Sequence, residues 1–125
     1  MNGIAKSHKD LIVWQKSLDL AELVYSLTNN FPQRETYALS AQMRRATISI
    51  SSNIAEGRNR GSRKDYSHFL QMAYGSVAEL ETQLIIAKRL SFGEEKELNN
   101  ILSLLTEIAK MLHVMIEKLN GAARS

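Results

Sequence analysis

The chain has 125 residues, of which 44% are hydrophobic and 23% are charged, with a formal net charge of +3. This composition is ordinary for one soluble globular domain, and the lack of cysteine excludes disulfide and thiolate chemistry. No apolar run approaches the roughly 20 residues of a membrane span. We therefore expect one domain over 1–125, with loose termini at 1–9 and 121–125, in the cytoplasm and away from membranes.

The first predicted helix runs from about Leu11 or Val13 to Asn29, with Asp10 near its start as a cap. One apolar stripe consists of Trp14, Leu18, Ala21, Tyr25 and Thr28, and a second consists of Leu20, Leu23, Val24, Leu27 and Phe31. Two apolar stripes on one helix predict that it is covered on two sides.

The second predicted helix follows a break at 29–35, where Pro32 suits its first turn, and it extends to Arg58 or Arg60. Its main stripe is Leu39, Met43, Ala46, Ile50 and Ile54, and a narrow second seam is Ala41, Ile48 and Ala55. The serines and the asparagine at 49–53 are poor helix formers, so tertiary packing must favour the helix there. Any buried hydroxyl or amide would need a hydrogen-bond partner.

Two further helices complete the predicted fold. Gly61 is placed for the residue after the second helix, and Ser62 with Asp65 resembles a capping box for the third. The third helix carries the strongest apolar period, through Tyr66, Phe69, Leu70, Ala73, Val77, Leu80, Leu84 and Ala87. The fourth runs from about Glu94 to Leu119, and Gly121 ends it.

Four long helices with short connections predict an all-α, antiparallel, up-down-up-down four-helix bundle. The doubled stripes leave apolar surface that a monomer rarely exposes, so we expect a homo-oligomer.

Positive charge is concentrated in residues 44–64, which hold six basic side chains and one acid, Glu56. Arg58 and Arg60 are explained by the negative end of a helix dipole. Arg63 and Lys64 lie in the first turn of the next helix, where the dipole opposes them. The pattern predicts phosphate contact by this turn, and a merely solvated basic turn is the competing interpretation.

Four polar residues are candidates for a structural network. Arg45 is expected to pair with a carboxylate such as Glu56, Glu79 or Glu81, within the chain or between subunits. Asn53 and Glu56 lie one helical turn apart and favour a buried hydrogen-bond network over a binding or catalytic pair.

The sequence carries no constellation typical of an enzyme or a metal site. There is no Glu-x-x-His pair, no glycine-rich phosphate loop and no HEXXH, and the three histidines are scattered. We therefore expect no catalytic residues, no metal and no cofactor.

Several segments carry a family resemblance: LIVWQK at 11–16, YSLT at 25–28, QMRRA at 42–46, NIAEG at 53–57 and GSVAELE at 75–81. They resemble the four-helix-bundle proteins encoded in 23S ribosomal RNA intervening sequences, over roughly residues 10–119. That family includes accessory variability proteins of diversity-generating retroelements. The resemblance implies a ring-like pentamer and, more loosely, nucleic acid and a reverse transcriptase as partners, and it transfers no catalytic residues.

Two functions follow as hypotheses. The first is a non-enzymatic, oligomeric RNA- or DNA-binding or chaperone-like protein that contacts phosphates through Arg58, Arg60, Arg63 and Lys64. The alternative is a protein-interaction scaffold that binds an acidic partner protein, such as a reverse transcriptase, with no direct role in nucleic-acid binding.

Overall fold

The computed structural model describes residues 7–124, with side chains described through residue 121. In this range the chain is all-α, and its long helices are α1 (Ile12–Thr28), α2 (Leu39–Arg58), α3 (Arg63–Arg89) and α4 (Glu95–Arg124). Each helix packs against the helices that precede and follow it, and α4 also packs against α1, so that the four enclose one core. None of the helices in residues 7–124 combines the length and the apolar character needed to cross a bilayer.

The core is built from the predicted stripes. Its fully buried large side chains are Leu20, Leu27, Met43, Ile50, Ile54, Leu70, Leu80, Leu84, Leu98, Ile101, Leu105 and Ile108. On α1 the stripe that starts at Leu20 faces this core except for Leu23, which is 41% exposed. Leu18 and Tyr25 of the other stripe remain 40% and 39% exposed. The second seam of α2 is also open, since Ile48 is 47% exposed. The stripe of α1 that contains Leu18 and Tyr25 and the second seam of α2 therefore lie at the surface of the single chain.

The start of α2 differs from the prediction that Pro32 opens it. Pro32 has extended backbone with ψ of 139°, and a short 3-10 helix, Gln33–Glu35, follows it. Phe31 is buried, and its ring centroid lies 5.6 Å from that of Phe92. Helix α2 begins only at Leu39, after this 3-10 helix and a turn at 36–38.

The helix ends confirm one predicted cap and correct others. The Ser62 side chain accepts a hydrogen bond from the Asp65 backbone N–H, as the spacing predicted. The N-cap of α1 is Leu11 instead of Asp10, because a short 3-10 helix, His8–Asp10, precedes it. Gly61 does not end α2. The helix ends at Arg58, and the next residue, Asn59, has right-handed helical backbone and donates its N–H to the Ala55 carbonyl.

Parts of the termini that were predicted to be loose take helical structure in the described range. The Ser7 side chain caps the 3-10 helix His8–Asp10, which leads into α1. Helix α4 continues through Gly121 to Arg124, because glycine retains the backbone N–H and carbonyl groups that a helix requires. The remaining predicted loose residues, 1–6 and Ser125, lie outside the described residues.

Candidate nucleic-acid interface

The basic turn between α2 and α3 is positioned by close packing of the two helices. Gly57 is buried at the last turn of α2, and a Cβ there would lie 2.8 Å from the Cβ of Phe69 and 3.2 Å from the Tyr66 carbonyl oxygen. A glycine therefore lets the start of α3 approach the end of α2. The Ser62 cap then sets the direction in which α3 leaves the turn.

Two of the predicted cations of this turn are held by neighbouring side chains. The Arg60 Nε lies 3.1 Å from the Glu56 carboxylate, and its guanidinium lies 4.8 Å from the centre of the Phe69 ring. Arg58 is half-buried close to Tyr66. Burial raises the pKa of the Tyr66 phenol, and the Arg58 guanidinium opposes part of that rise. Arg60 thus has a structural partner that the sequence pattern did not predict.

Arg63 and Lys64 have a different environment. Both side chains are exposed, and neither pairs with a carboxylate within the described part of the chain. They stand at one end of a groove of about 350 Å³ between α3 and α4, which we call the polar groove. Its other lining residues are Ser67, His68, Gln71, Leu119 and Asn120.

A chain of hydrogen bonds crosses the polar groove from α3 to α4. The Gln71 Nε2 donates to the Ser67 Oγ at 3.0 Å, and the Ser67 hydroxyl donates to the Asn120 Oδ1 at 2.8 Å. Ser67 is buried, so this chain joins the start of α3 to the end of α4. The groove therefore combines two cations with oriented amides, which are groups that hydrogen-bond phosphate and sugar oxygens.

The predicted network of Arg45, Asn53, Glu56 and Glu79 is not assembled within the single chain. The Asn53 amide donates to the Ser49 carbonyl and hydroxyl oxygens, and the Ser76 hydroxyl donates to the Ser49 Oγ at 2.9 Å. Asn53 therefore belongs to a polar link between α2 and α3. Glu56 instead points to Arg60, because an exposed position one turn away brings the two charges together.

Arg45 and Glu79 are both exposed and have no ion pair within the described residues. Within the described residues, none of the expected pairs of Arg45 with Glu56, Glu79 or Glu81 is formed. The intersubunit form of the Arg45 pair stays a prediction.

Arg44, next to Arg45, joins α2 to the end of α1 through contacts that the sequence analysis did not predict. Its guanidinium donates to the Thr28 Oγ1 at 2.9 Å and to the Asn29 Oδ1 at 3.0 Å, and it lies 4.8 Å from the centre of the Tyr25 ring. No local sequence pattern indicates these partners on α1, because they depend on tertiary packing.

A second groove lies between the middles of α3 and α4 and has a volume of about 560 Å³. Apolar side chains form much of its lining, including Val77, Leu105 and Ala109, and Glu81 and Lys110 add opposite charges. No group of three or more His, Cys, Asp or Glu side chains suitable for a metal occurs among the residues that the structure describes.

Comparison with known proteins places this chain in a family. A crystal structure of a protein with unknown function from the S23 ribosomal protein family of Bacteroides thetaiotaomicron VPI-5482 is 28% identical, with a TM-score of 0.77. The match covers 85% of this chain and 99% of that chain. No curated protein matches the sequence. The family model described as 23S rRNA-intervening sequence protein matches residues 9–114. This chain therefore belongs to the 23S rRNA-intervening sequence protein family, as the resemblance in its NIAEG and GSVAELE segments predicted.

Proposed function

We propose that this protein is a non-enzymatic, oligomeric nucleic-acid-binding protein of the cytoplasm that contacts phosphates through its basic turn. The observation that carries the proposal is the exposure of Arg63 and Lys64 without a carboxylate partner in the described chain. The helix dipole disfavours cations in the first turn of a helix, so stabilisation of α3 does not explain these two side chains. These two cations stand at the unfavourable end of α3, so an external anion is the partner that accounts for them.

Arg58 and Arg60 would contribute to the phosphate affinity by different amounts. Arg60 shares its charge with Glu56 and stacks over Phe69, so it contributes less than a cation that has no acid beside it. Arg58 is half-buried at the end of α2 and adds to the potential of the turn. The four cations together would give sequence-independent affinity that falls steeply with salt.

An antiparallel bundle that assembles into a ring would repeat this basic turn in every subunit. The antiparallel part is supported by contacts between the start of α3 and the end of α4, at Ser67 and Asn120, and between the opposite ends, at Lys88 and Asn99. Self-association is supported by the exposed seams of α1 and α2, where Leu18 and Ile48 are 40% and 47% exposed among the described residues. Several basic turns on one particle would bind a long polyanion with avidity.

The test is an electrophoretic mobility shift with structured RNA and with duplex DNA at low and at physiological salt. The double variant Arg63→Ala/Lys64→Ala should lose at least about 10-fold in affinity, and its salt slope should fall by about 2. The matched control is Arg89→Ala/Lys96→Ala, which removes two exposed cations at the other end of α3 and the start of α4. That control should retain most of the affinity. No binding by the wild-type protein at low salt, or equal losses in both variants, would contradict the proposal.

A scaffold that binds an acidic protein is the second candidate. The large groove between the middles of α3 and α4 favours it, since apolar lining beside Glu81 and Lys110 is typical of protein contacts. An acidic partner could reach this groove and the basic turn along the same pair of helices. If mobility shifts are absent while an acidic partner such as a reverse transcriptase binds with loss on Arg63→Ala/Lys64→Ala, this candidate replaces the first.

A further inference from the structure

We propose that the polar groove recognises the ribose 2′-hydroxyl, so that the protein prefers RNA to DNA of the same sequence. The inference rests on the proposed function, because it assumes that Arg63 and Lys64 hold a phosphate at the end of this groove. It assigns a role to Gln71 and Asn120, which carry no charge and add nothing to phosphate affinity at long range.

The hydrogen bonds inside the groove determine which groups remain for a ligand. The Gln71 Nε2 is oriented by its bond to the Ser67 Oγ, and the Asn120 Oδ1 is oriented by the bond that it accepts from Ser67. The opposite ends of the two amides, the Gln71 Oε1 and the Asn120 Nδ2, make no hydrogen bond to another described residue. The groove thus presents one oriented acceptor and one oriented donor.

A hydroxyl group fits this pair, because it can donate to the Gln71 Oε1 and accept from the Asn120 Nδ2 at the same time. The 2′-hydroxyl is both donor and acceptor, and it distinguishes RNA from DNA. It sits on the ribose carbon next to the one that bears the 3′ phosphate. A phosphate held by Arg63 and Lys64 therefore brings the adjacent 2′-hydroxyl to the groove, where Leu119 offers apolar surface to the sugar.

DNA would enter the same groove with hydrogen in place of the hydroxyl. The phosphate contacts would remain, but the amide groups of Gln71 and Asn120 would lose water without gaining a partner. Unpaired polar groups at a contact surface cost more than the bonds themselves contribute, so the preference for RNA should be larger than one weak hydrogen bond gives.

The experiment is a fluorescence anisotropy titration of the full chain with labelled oligouridylate and oligodeoxyuridylate of equal length at low salt. The wild-type protein should bind the RNA about 10-fold more tightly. Gln71→Met/Asn120→Ala should bind the two oligonucleotides equally, with an affinity for DNA no lower than that of the wild type. The matched control Gln42→Met/Asn100→Ala changes the same residue types at exposed positions of α2 and α4, and it should keep the preference.

Because Asn120→Ala leaves the buried Ser67 hydroxyl without its acceptor, circular dichroism must show that the double variant is folded. Gln71→Met alone alters an exposed side chain and should lose part of the preference in any case. Equal wild-type binding of RNA and DNA overturns the inference and leaves the proposed function standing. A preference that survives in Gln71→Met/Asn120→Ala also overturns it, whereas failure of both oligonucleotides to bind overturns the proposed function as well.

Discussion

The α2–α3 turn and the α3–α4 turn connect the same helix to its two neighbours, but they are built in opposite ways. In the α3–α4 turn, Ser91 and Gly93 take positive φ angles of 59° and 80°. A Cβ on Gly93 would lie 2.7 Å from the Leu27 Cδ1, so this turn is packed onto α1. In the α2–α3 turn, a Cβ on Gly61 would meet no heavy atom within 4 Å, and residues 59–62 have no positive φ.

The charges of the two turns differ in the same way. At the packed turn, Arg34 lies 5.7 Å from the centre of the Phe92 ring, and Lys88 lies 3.9 Å from the Glu95 carboxylate. At the open turn, Arg63 and Lys64 have no such partner in the described chain. The open turn therefore places two cations that are unpaired in the described chain beside the polar groove, whereas the packed turn uses Gly93, Arg34 and Lys88 in contacts within the chain.

The largest expected effect comes from Gly93→Ala. An alanine must adopt a positive φ there and place its methyl group against Leu27 and Phe31. We expect a loss of about 2–3 kcal/mol in the free energy of unfolding. Urea denaturation followed by circular dichroism measures it.

Gly61→Ala is the control at the open turn, because its backbone has no positive φ and its surroundings are empty. Its effect should stay within about 0.5 kcal/mol. Similar losses in the two variants would mean that the α2–α3 turn is as constrained as the α3–α4 turn, and the comparison would fail.

The second effect concerns the packing of α2 against α3 at Gly57, next to the open turn. Gly57→Ala would bring a methyl group within 2.8 Å of the Phe69 Cβ, which is fixed to the α3 backbone, so the two helices must separate. We expect a net loss of about 1–2 kcal/mol after the better helix propensity of alanine is included. Gly75→Ala, in the exposed middle of α3 with no neighbour within 4 Å, should instead gain about 0.5–1 kcal/mol. A gain in both variants would show that α2 and α3 are not closely packed at Gly57.

Local features of the fold were predictable because their causes lie within a few residues. The period of Leu70, Ala73 and Val77 predicted the buried face of α3, and the Ser62–Asp65 spacing predicted its cap. The two stripes of α1 were both predicted, but periodicity alone does not tell which stripe faces the core. That depends on the neighbouring helices, as does the extra turn before α2.

The candidate site was predicted in part for the same reason. The crowding of cations at 58–64 is visible in the sequence, but it did not reveal that Arg60 lies over Phe69 and beside Glu56. The hydrogen bond between Ser67 and Asn120 joins residues far apart in the chain, so no local sequence pattern predicts it. Sequence spacing thus located the charge of the turn, and tertiary packing decided which cations remain available.

The third effect is a pH dependence of the folding stability that arises from Tyr66, next to the open turn. Burial raises the pKa of Tyr66 above its ordinary value of 10.0, so the folded state holds the phenolic proton more tightly than the unfolded state. Stability from this group is therefore full below about pH 10 and is lost as pH rises through the higher folded pKa. Urea denaturation at about pH 9 and about pH 11 should show a smaller decrease for Tyr66→Phe than for the wild type. Equal decreases would contradict the burial of this phenol.

The smallest expected effect separates the paired cation of the open turn from the unpaired ones. Glu56→Gln removes the carboxylate 3.1 Å from Arg60 and should change stability by less than about 0.5 kcal/mol, since exposed pairs one helical turn apart are weak. It should raise nucleic-acid affinity by about 2- to 5-fold, because the turn loses its acid and Arg60 becomes available to a phosphate. Mobility shifts at low salt measure the change.

The control for that variant is Glu107→Gln, which breaks the 2.8 Å pair with Lys16 on the α1–α4 side of the molecule and removes the same charge. If both variants gain equally, the gain reflects net charge and not the turn. If Glu56→Gln alone gains, Glu56 limits the phosphate affinity of the turn through Arg60. A loss for Glu56→Gln would mean instead that the carboxylate holds Arg60 in the orientation that phosphate requires, and Arg60 would then rank with Arg63 and Lys64 as a contact.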